Sequence, residues 1–310
     1  MSVEVIEPGV LSLLQDSGRR GHHRLGLTNG GALDGEAYHY CNRLLQNPAG
    51  AVVVEVSLGG LVLRAHTGTF ACVTGAPVPV TLNGEQQESW QVFALRTGDR
   101  LALGHSRRGA RAYLGVAGGF EVPPVFDSVS TVVREALGGL DGGPLKKGDH
   151  LPCAQVSERR TLSLAPEHRP RYANTLTVRV IPGYQQHWFS REQQRRFFGG
   201  PYLVTERCDR MGYRLEGHAV QCDRQDMLSE GICHGAVQLP PDGQPIVLLN
   251  DRQTIGGYPK IGVALSLDTW RLAQLVPGNT VHFAPISVHT ARRALDLAHR
   301  FTLARPLKER

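Results

Sequence analysis

The chain has 310 residues, more than one ordinary hydrophobic core and a suitable length for two domains. Apolar residues make up 41% and charged residues 20%, a globular balance that excludes an intrinsically disordered chain. The formal charge of +6 does not signal nucleic-acid binding, because the bases are scattered and the groups at Arg107–Arg111 and Arg191–Arg196 lack interleaved aromatics. A solvated face, or a docking surface for an acidic partner, accounts for it better.

In the first half, short apolar runs alternate with turn residues. Strands are expected at 3–6, 11–14, 52–56, 61–64, 70–74, 78–82, 91–95, 100–103 and 110–116. Asn83-Gly84 is a hairpin signal between two such runs. One helix interrupts them: Asp34 caps it, Glu36 suits its positive first turn, and Ala37, Tyr40, Cys41, Leu44 and Leu45 form its apolar stripe. A shorter helix is expected over 128–137, stopped by Gly138-Gly139.

Between Glu158 and Asn174 the composition turns charged and Pro-containing, which sets the domain boundary: residues 1–165 and 166–310. The second half opens with a strand over 176–181. A helix follows over 190–198, with Ser190 and Gln193 spaced as a capping box. Further strands are expected at 202–205, 236–239 and 246–249, then a helix capped by Asp268 and a last one started by Ser287. The two halves share short echoes in the same order. Gly21–Gly26 resembles Gly212–Gly217, and Gly98–Leu103 resembles Gly278–Phe283, as a duplicated β domain would produce.

The six cysteines include no CxxC pair, so a zinc cluster or redox motif is not expected, and most sit among apolar residues as small core side chains. The adjacent His22-His23 pair points to opposite sides and does not suggest a shared metal. The opening MSVEVIEPG lacks a basic stretch followed by an apolar one, so no signal peptide is expected, and no run approaches about 18 apolar residues. A cytoplasmic, non-membrane protein is the expectation. The chain has no Walker P-loop, GxSxG elbow or HExxH, and Gly115–Gly119 lacks the spacing of a dinucleotide fingerprint.

Three segments are too rich in polar residues and glycine to be mere connections. Around Gln15-Asp16-Ser17-Gly18-Arg19, the opposite charges of Asp16 and Arg19 form either a local ion pair or part of a site. In Asp209–Gly217, Arg210 offers a planar fork for a carboxylate or carbonyl, against a plainer reading as a β-bulge with a surface salt bridge. The third, Asp251–Gly262, lies between two apolar runs. There Lys260 is placed to neutralise an oxyanion, Asp251 to orient or accept a proton, and Gln253 and Thr254 to bind an amide. The Pro241-Asp242-Gly243 turn joins the strand carrying Gln238 to the one leading into Asp251, so Gln238 and Asp251 are expected to be neighbours.

Together these segments resemble the biotin-dependent carboxyltransferase-like family, also called allophanate hydrolase subunit 2. The resemblance rests on Gln15–Arg19 with Gly21; Gly31–Asp34 with Asn42, Leu44 and Asn47; Gly115–Gly119; Arg210–Leu215; Pro240–Gly243; and Asp251–Thr254 through Gly256–Gly262. Cys208 and His234 depart from the family's usual small residue and Pro or Val. The resemblance implies a mainly β fold with a few helices, built as two cyclophilin-like β-barrel subdomains. It implies the C subunit of an ATP-dependent 5-oxoprolinase, which opens 5-oxoproline to L-glutamate together with the A and B subunits of that enzyme. ATP belongs to the complex, and no metal or bound biotin is expected in this chain. Asp251, Lys260, Arg210 and Asp16 are the expected catalytic residues. Arg19, Asp34, Asn42, Gln238, Gln253, Thr254 and Tyr258 are the expected substrate-binding residues for a lactam or amide. The same residues suit the carboxyltransferase component of a biotin-dependent urea or amide carboxylase. A non-catalytic antagonist of a kinase-inhibitor protein is the third possibility.

Overall fold

The computed structural model describes residues 1–224 and 227–309. The fold is mainly β with a few helices, as expected, and divides into two compact units. One comprises Met1–His22, Asn29–Tyr172 and Pro306–Arg310. The other comprises His23–Thr28 and Ala173–Arg305.

The first unit holds two sheets that share one core. The six-stranded sheet runs in the order His150–Pro152, Ser2–Pro8, Leu61–Ala65, Arg100–Leu103, Val80–Leu82 and Glu85–Gln87. The five-stranded sheet runs Leu11–Gln15, Val53–Ser57, Arg111–Val116, Thr69–Gly75 and Val92–Leu95. Side chains alternate along a strand, and here both faces are buried. Val54, Val56, Val73 and Leu114 join the inter-sheet core. Their neighbours Val53, Cys72 and Tyr113 point the other way, against Tyr40, Cys41 and Leu44 of helix Gly35–Leu44. This is why these strands read as continuous apolar runs rather than alternating ones. Gly115 permits the close approach: a Cβ there would lie 2.8 Å from both Cys41 Sγ and Leu45 Cδ1.

Asp34 caps this helix as expected, its Oδ1 accepting from the Ala37 amide at 3.1 Å. The helix expected over 128–137 is instead a single 3-10 turn, Val133–Glu135. The polar side chains before it prefer the neighbouring turn to helical hydrogen bonds. Ser128 and Ser130 hydroxyls and the Val129 amide all donate to the Asp16 carboxylate.

The second unit is built on a closed seven-stranded barrel. Its order is Thr175–Pro182, Lys260–Ala264, Ala236–Gln238, Ile246–Leu248, Gly212–Gly217, Pro201–Cys208 and Thr280–Pro285, and the last strand closes in parallel on the first. Phe197 of helix Arg191–Gly199 stacks on Phe283 with centroids 4.4 Å apart, and Tyr202 meets the same ring edge-on. Ser190 and Ser287 cap their helices as expected, each accepting an amide three residues on. Asp268 does not cap. Leu265 occupies that position in helix Ser266–Leu272, and Asp268 pairs with Arg179 through Nε at 2.8 Å and Nη2 at 2.6 Å. The arginine on the adjacent strand outcompetes the free helix amides for the carboxylate.

One of the two echoes is visible in the backbone. Asp99 Oδ2 accepts from the Arg96 amide at 2.7 Å, and Asn279 Oδ1 accepts from the Val276 amide at 3.2 Å. Gly98 and Gly278 precede them with φ of 93° and 83°, and a strand follows each turn. The same turn recurs at Lys146–Asp149, before strand His150–Pro152. The other echo fails, because His23–Leu25 forms a 3-10 turn whereas Gly212–Gly217 is a barrel strand.

Candidate active site

The expected site residues of the second unit fall into two clusters, one at each end of the same strand pair. In the first, Arg210 grips Asp251 with both arms: Nε to Oδ2 at 2.8 Å and Nη2 to Oδ1 at 3.0 Å. Both are buried, at 6% and 5% exposure, so this is an interior ion pair rather than a surface salt bridge. The sequence places it by extending a ladder. Gly212–Gly217 pairs with Ile246–Leu248, and the Leu249 and Asp251 amides continue the pairing onto the Met211 and Arg210 carbonyls. A register shift occurs on the neighbouring strand, between Val204 and Cys208, and not within Asp209–Gly217. Next in the chain, the buried Arg252 donates to the Ile232 and Leu249 carbonyls. Burial pushes its pKa below the usual arginine value, partly offset by Cys233 and Asp251. His234 beside it is held down to about 4 by burial and by the Arg252 charge, against a hydrogen bond with Asn250 that favours the charged form.

The second cluster surrounds Lys260. This lysine is the first residue of a barrel strand and only 8% exposed, not a loop residue. Its Nζ forms an ion pair with Glu230 Oε1, but without hydrogen-bond alignment. Gln185, buried at 1%, binds both partners: its Oε1 accepts from the Lys260 amide at 2.8 Å, and its Nε2 donates to Glu230 Oε1 at 3.0 Å. The Tyr184 hydroxyl also donates to Glu230 Oε1. Burial disfavours the Glu230 anion, but Lys260, Tyr184 and Gln185 outweigh it and hold its pKa below the usual value. The Tyr184 hydroxyl is raised to about 12, by burial first and then by the hydrogen bond to Glu230.

Gln238 belongs to this second cluster. Antiparallel register pairs it with Lys260 on one side and Ile246 on the other. Asp251 leaves the opposite end of that strand pair, where the Gly235 amide bonds the Leu248 carbonyl. The expected Gln238–Asp251 proximity is therefore wrong, because the tight turn sits at Gln238's end of the hairpin and Asp251 at the other. Gln238 is 2% exposed, and its Nε2 has no hydrogen-bond partner among the described residues. A buried donor left unpaired costs about 1–3 kcal/mol, which an arriving carbonyl oxygen would relieve. Gly256 makes room for it, since a Cβ there would sit 2.9 Å from that nitrogen and 2.4 Å from Ile232 Cδ1.

The remaining expected binding residues of this unit do not converge on Lys260. Gln253 is exposed, and Thr254 contributes its carbonyl to the Ile232 amide at 3.0 Å. Tyr258 lines a small cavity of about 80 Å³ with Cys222, Arg224 and Pro240. An open groove of about 720 Å³ lies between Val204–Arg207 and Arg214–Glu216 and includes none of the expected residues.

In the first unit the expected residues hold the fold together. Asp16 is saturated by neutral donors: Gly18 N at 2.8 Å, Ser128 Oγ at 2.7 Å, Ser130 Oγ at 2.6 Å and Val129 N at 2.7 Å. Arg19 lies against the carbonyls of Val125, Ser128 and Ser130 at 3.0–3.2 Å. Neither arrangement is the local Asp16–Arg19 pair. The glycines here let backbones approach each other, with a Cβ on Gly31 falling 3.2 Å from Gly18 Cα. Asp34 Oδ2 accepts from Tyr172, and Asn42 bridges the Ala51 carbonyl and Asn47. Beside them lies a buried network the sequence did not reveal. Glu55 accepts from the Tyr113 hydroxyl at 2.8 Å and the Leu33 amide at 2.9 Å, with Arg111 4.0 Å away. Burial, then the Glu55 and Asp34 charges, push the Tyr113 hydroxyl well up.

A family described as "Carboxyltransferase domain, subdomain A and B" matches residues 25–285. This chain belongs to that family. It is 36% identical to the 5-oxoprolinase C subunit of Escherichia coli over 301 residues, spanning 96% of both chains. It is 33% identical to the 5-oxoprolinase C subunit of Haemophilus influenzae, covering 94% of this chain and 93% of that one. In structure it resembles the K. lactis urea amidolyase, with a TM-score of 0.88 and 28% identity over 97% of this chain. It spans only 20% of that much longer protein. Among the described residues, no helix of this family member is long and apolar enough to cross a membrane. No group of three or more His, Cys, Asp or Glu among them is arranged to hold a metal.

Proposed function

We propose that this chain is the C subunit of an ATP-dependent 5-oxoprolinase, acting with the A and B subunits to open 5-oxoproline to L-glutamate. One observation carries the reading: near end-to-end likeness to a 5-oxoprolinase subunit, at 36% identity over 96% of each chain. The second-unit clusters supply suitable chemistry. Opening a lactam needs a polarised carbonyl and a stabilised anion. The Lys260 ammonium and the Gln238 amide nitrogen, which has no partner among the described residues, are neighbours across the strand register and are donors for that oxygen. The buried Arg210–Asp251 pair fixes the far end of the same loop. ATP is assigned to the assembled complex, since no phosphate-cradling motif is present in this chain. Free cysteines, three of them buried, favour a reducing compartment and support a cytoplasmic assignment. The test is reconstitution with the A and B subunits. Glutamate formation is expected to require this chain and to be lost in Lys260→Met, and turnover in its absence would reject the reading.

The family match and the structural likeness to urea amidolyase favour one second reading, a carboxyltransferase component that takes a carboxyl group from biotin. It requires a biotinylated carrier. Carboxyl transfer from free carboxybiotin to urea by the purified chain would support it.

A further inference from the structure

The buried Lys260 ammonium needs a counter-charge, and it comes from a segment remote in sequence. Glu230 lies in the two-residue strand Glu230–Gly231, which pairs with Ile255–Gly256 of the loop that ends at Lys260. Glu230 Oε1 meets the ammonium and also receives Gln185 Nε2 at 3.0 Å and the Tyr184 hydroxyl. Gln185 closes the arrangement by accepting the Lys260 backbone amide. One side chain thus fixes both the position of Lys260's backbone and the carboxylate facing its head group. Tyr184, 67% exposed, is the outer member of the set.

We infer that Glu230 is a positioning residue for Lys260, with Gln185 and Tyr184 holding the carboxylate that meets the ammonium and fixes it next to the strand that carries Gln238. The inference rests on the proposed role of Lys260 for its relevance to turnover, but not for its physical content. Glu230 acts only through the lysine. Among the described residues, the polar groups facing that lysine are Glu230, Tyr184 and Gln185 on one side and Gln238 on the strand beside it.

The experiment uses the purified full chain and an amine-selective acylating reagent, with modification at Lys260 followed by peptide mass spectrometry at fixed pH. Removing the carboxylate takes away the partner that engages the amine and frees it for the reagent. Glu230→Gln is expected to raise the Lys260 labelling rate about tenfold. Glu230→Asp, which keeps the charge, is expected to return it most of the way, and Tyr184→Phe to give a smaller rise. Lysines 146 and 147 serve as internal references, and their rates are expected to stay constant. An unchanged Lys260 rate in Glu230→Gln overturns the inference. So does an equal rise in Glu230→Asp, which would mark loss of packing rather than of charge. If Glu230→Gln does not fold, Tyr184→Phe decides, and no rise there overturns it. In the complex reconstituted with the A and B subunits, Glu230→Gln is expected to lower kcat more than it raises KM. Altered labelling with unaltered turnover would leave the positioning role standing and reject Lys260 as the cation of the reaction.

Discussion

Replacing Asp251 with alanine removes both acceptors of the Arg210 fork, the bonds at 2.8 and 3.0 Å, and leaves a guanidinium in a place only 6% exposed. Breaking such a pair from one side costs about 3–5 kcal/mol, far more than the roughly 0–1 kcal/mol of a surface pair. Arg210→Met strands the carboxylate instead and is expected to cost a similar amount. The double variant Arg210→Met/Asp251→Ala removes both charges. It should therefore cost about as much as one single variant rather than the sum of the two, with a coupling energy of about 3 kcal/mol. Urea denaturation of the four proteins, followed by tryptophan fluorescence, measures the cycle. A loss below about 1 kcal/mol for Asp251→Ala, or strict additivity in the double variant, would refute the claim that this pair is an interior structural element.

Three further predictions concern separate sites. Asp16→Ala strips acceptors from four donors of the 18 and 128–130 segments, and should cost about 3 kcal/mol or more in denaturant. Gly256→Ala drives a methyl against Ile232 and the Gln238 amide. It should cost about 1–3 kcal/mol in stability while abolishing turnover in the reconstituted complex, and full activity would argue against Gln238 as a ligand donor. His234 has a folded pKa of about 4, below its unfolded value, so the unfolded chain binds the extra proton. The stability linked to its neutral form is complete above about pH 6.5 and declines as pH falls toward about 4, a trend that His234→Gln should flatten. Imidazole titration by NMR checks the pKa directly.

Local signals carried the elements well. Asp34, Ser190 and Ser287 announce their helices because a cap is decided within three residues, and the barrel strands Thr175–Pro182, Pro201–Cys208, Ala236–Gln238 and Ile246–Leu248 follow from short apolar runs, whereas Gly212–Gly217 and Thr280–Pro285 carried no such mark. Asp268 misled for the opposite reason, because Arg179 lies 89 residues away in sequence and takes the carboxylate. The site shows the same division. The Asp251–Gly262 stretch stood out by composition, and Arg210 by its fork, but which of them meet depends on strand register. Register moved Gln238 from Asp251 to Lys260. Glu230, Gln185 and Tyr184 carried no local mark, since they reach Lys260 only once Glu230–Gly231 pairs with Ile255–Gly256. In the first unit, the charged and glycine-rich motif around Asp16 looked like a binding loop. The Asp16 carboxylate and the Arg19 Nε and Nη2 instead bond the 125–130 segment. A sequence marks where polar groups are needed, but ligand and backbone make the same demand on them.

The most direct measurement is glutamate formation from 5-oxoproline and ATP by the A and B subunits supplemented with this chain or with its Lys260→Met variant, each shown to be folded by its melting temperature. Turnover that depends on the wild-type chain and disappears with the variant is the predicted result. Equal turnover with the variant, or with no addition, would contradict the account.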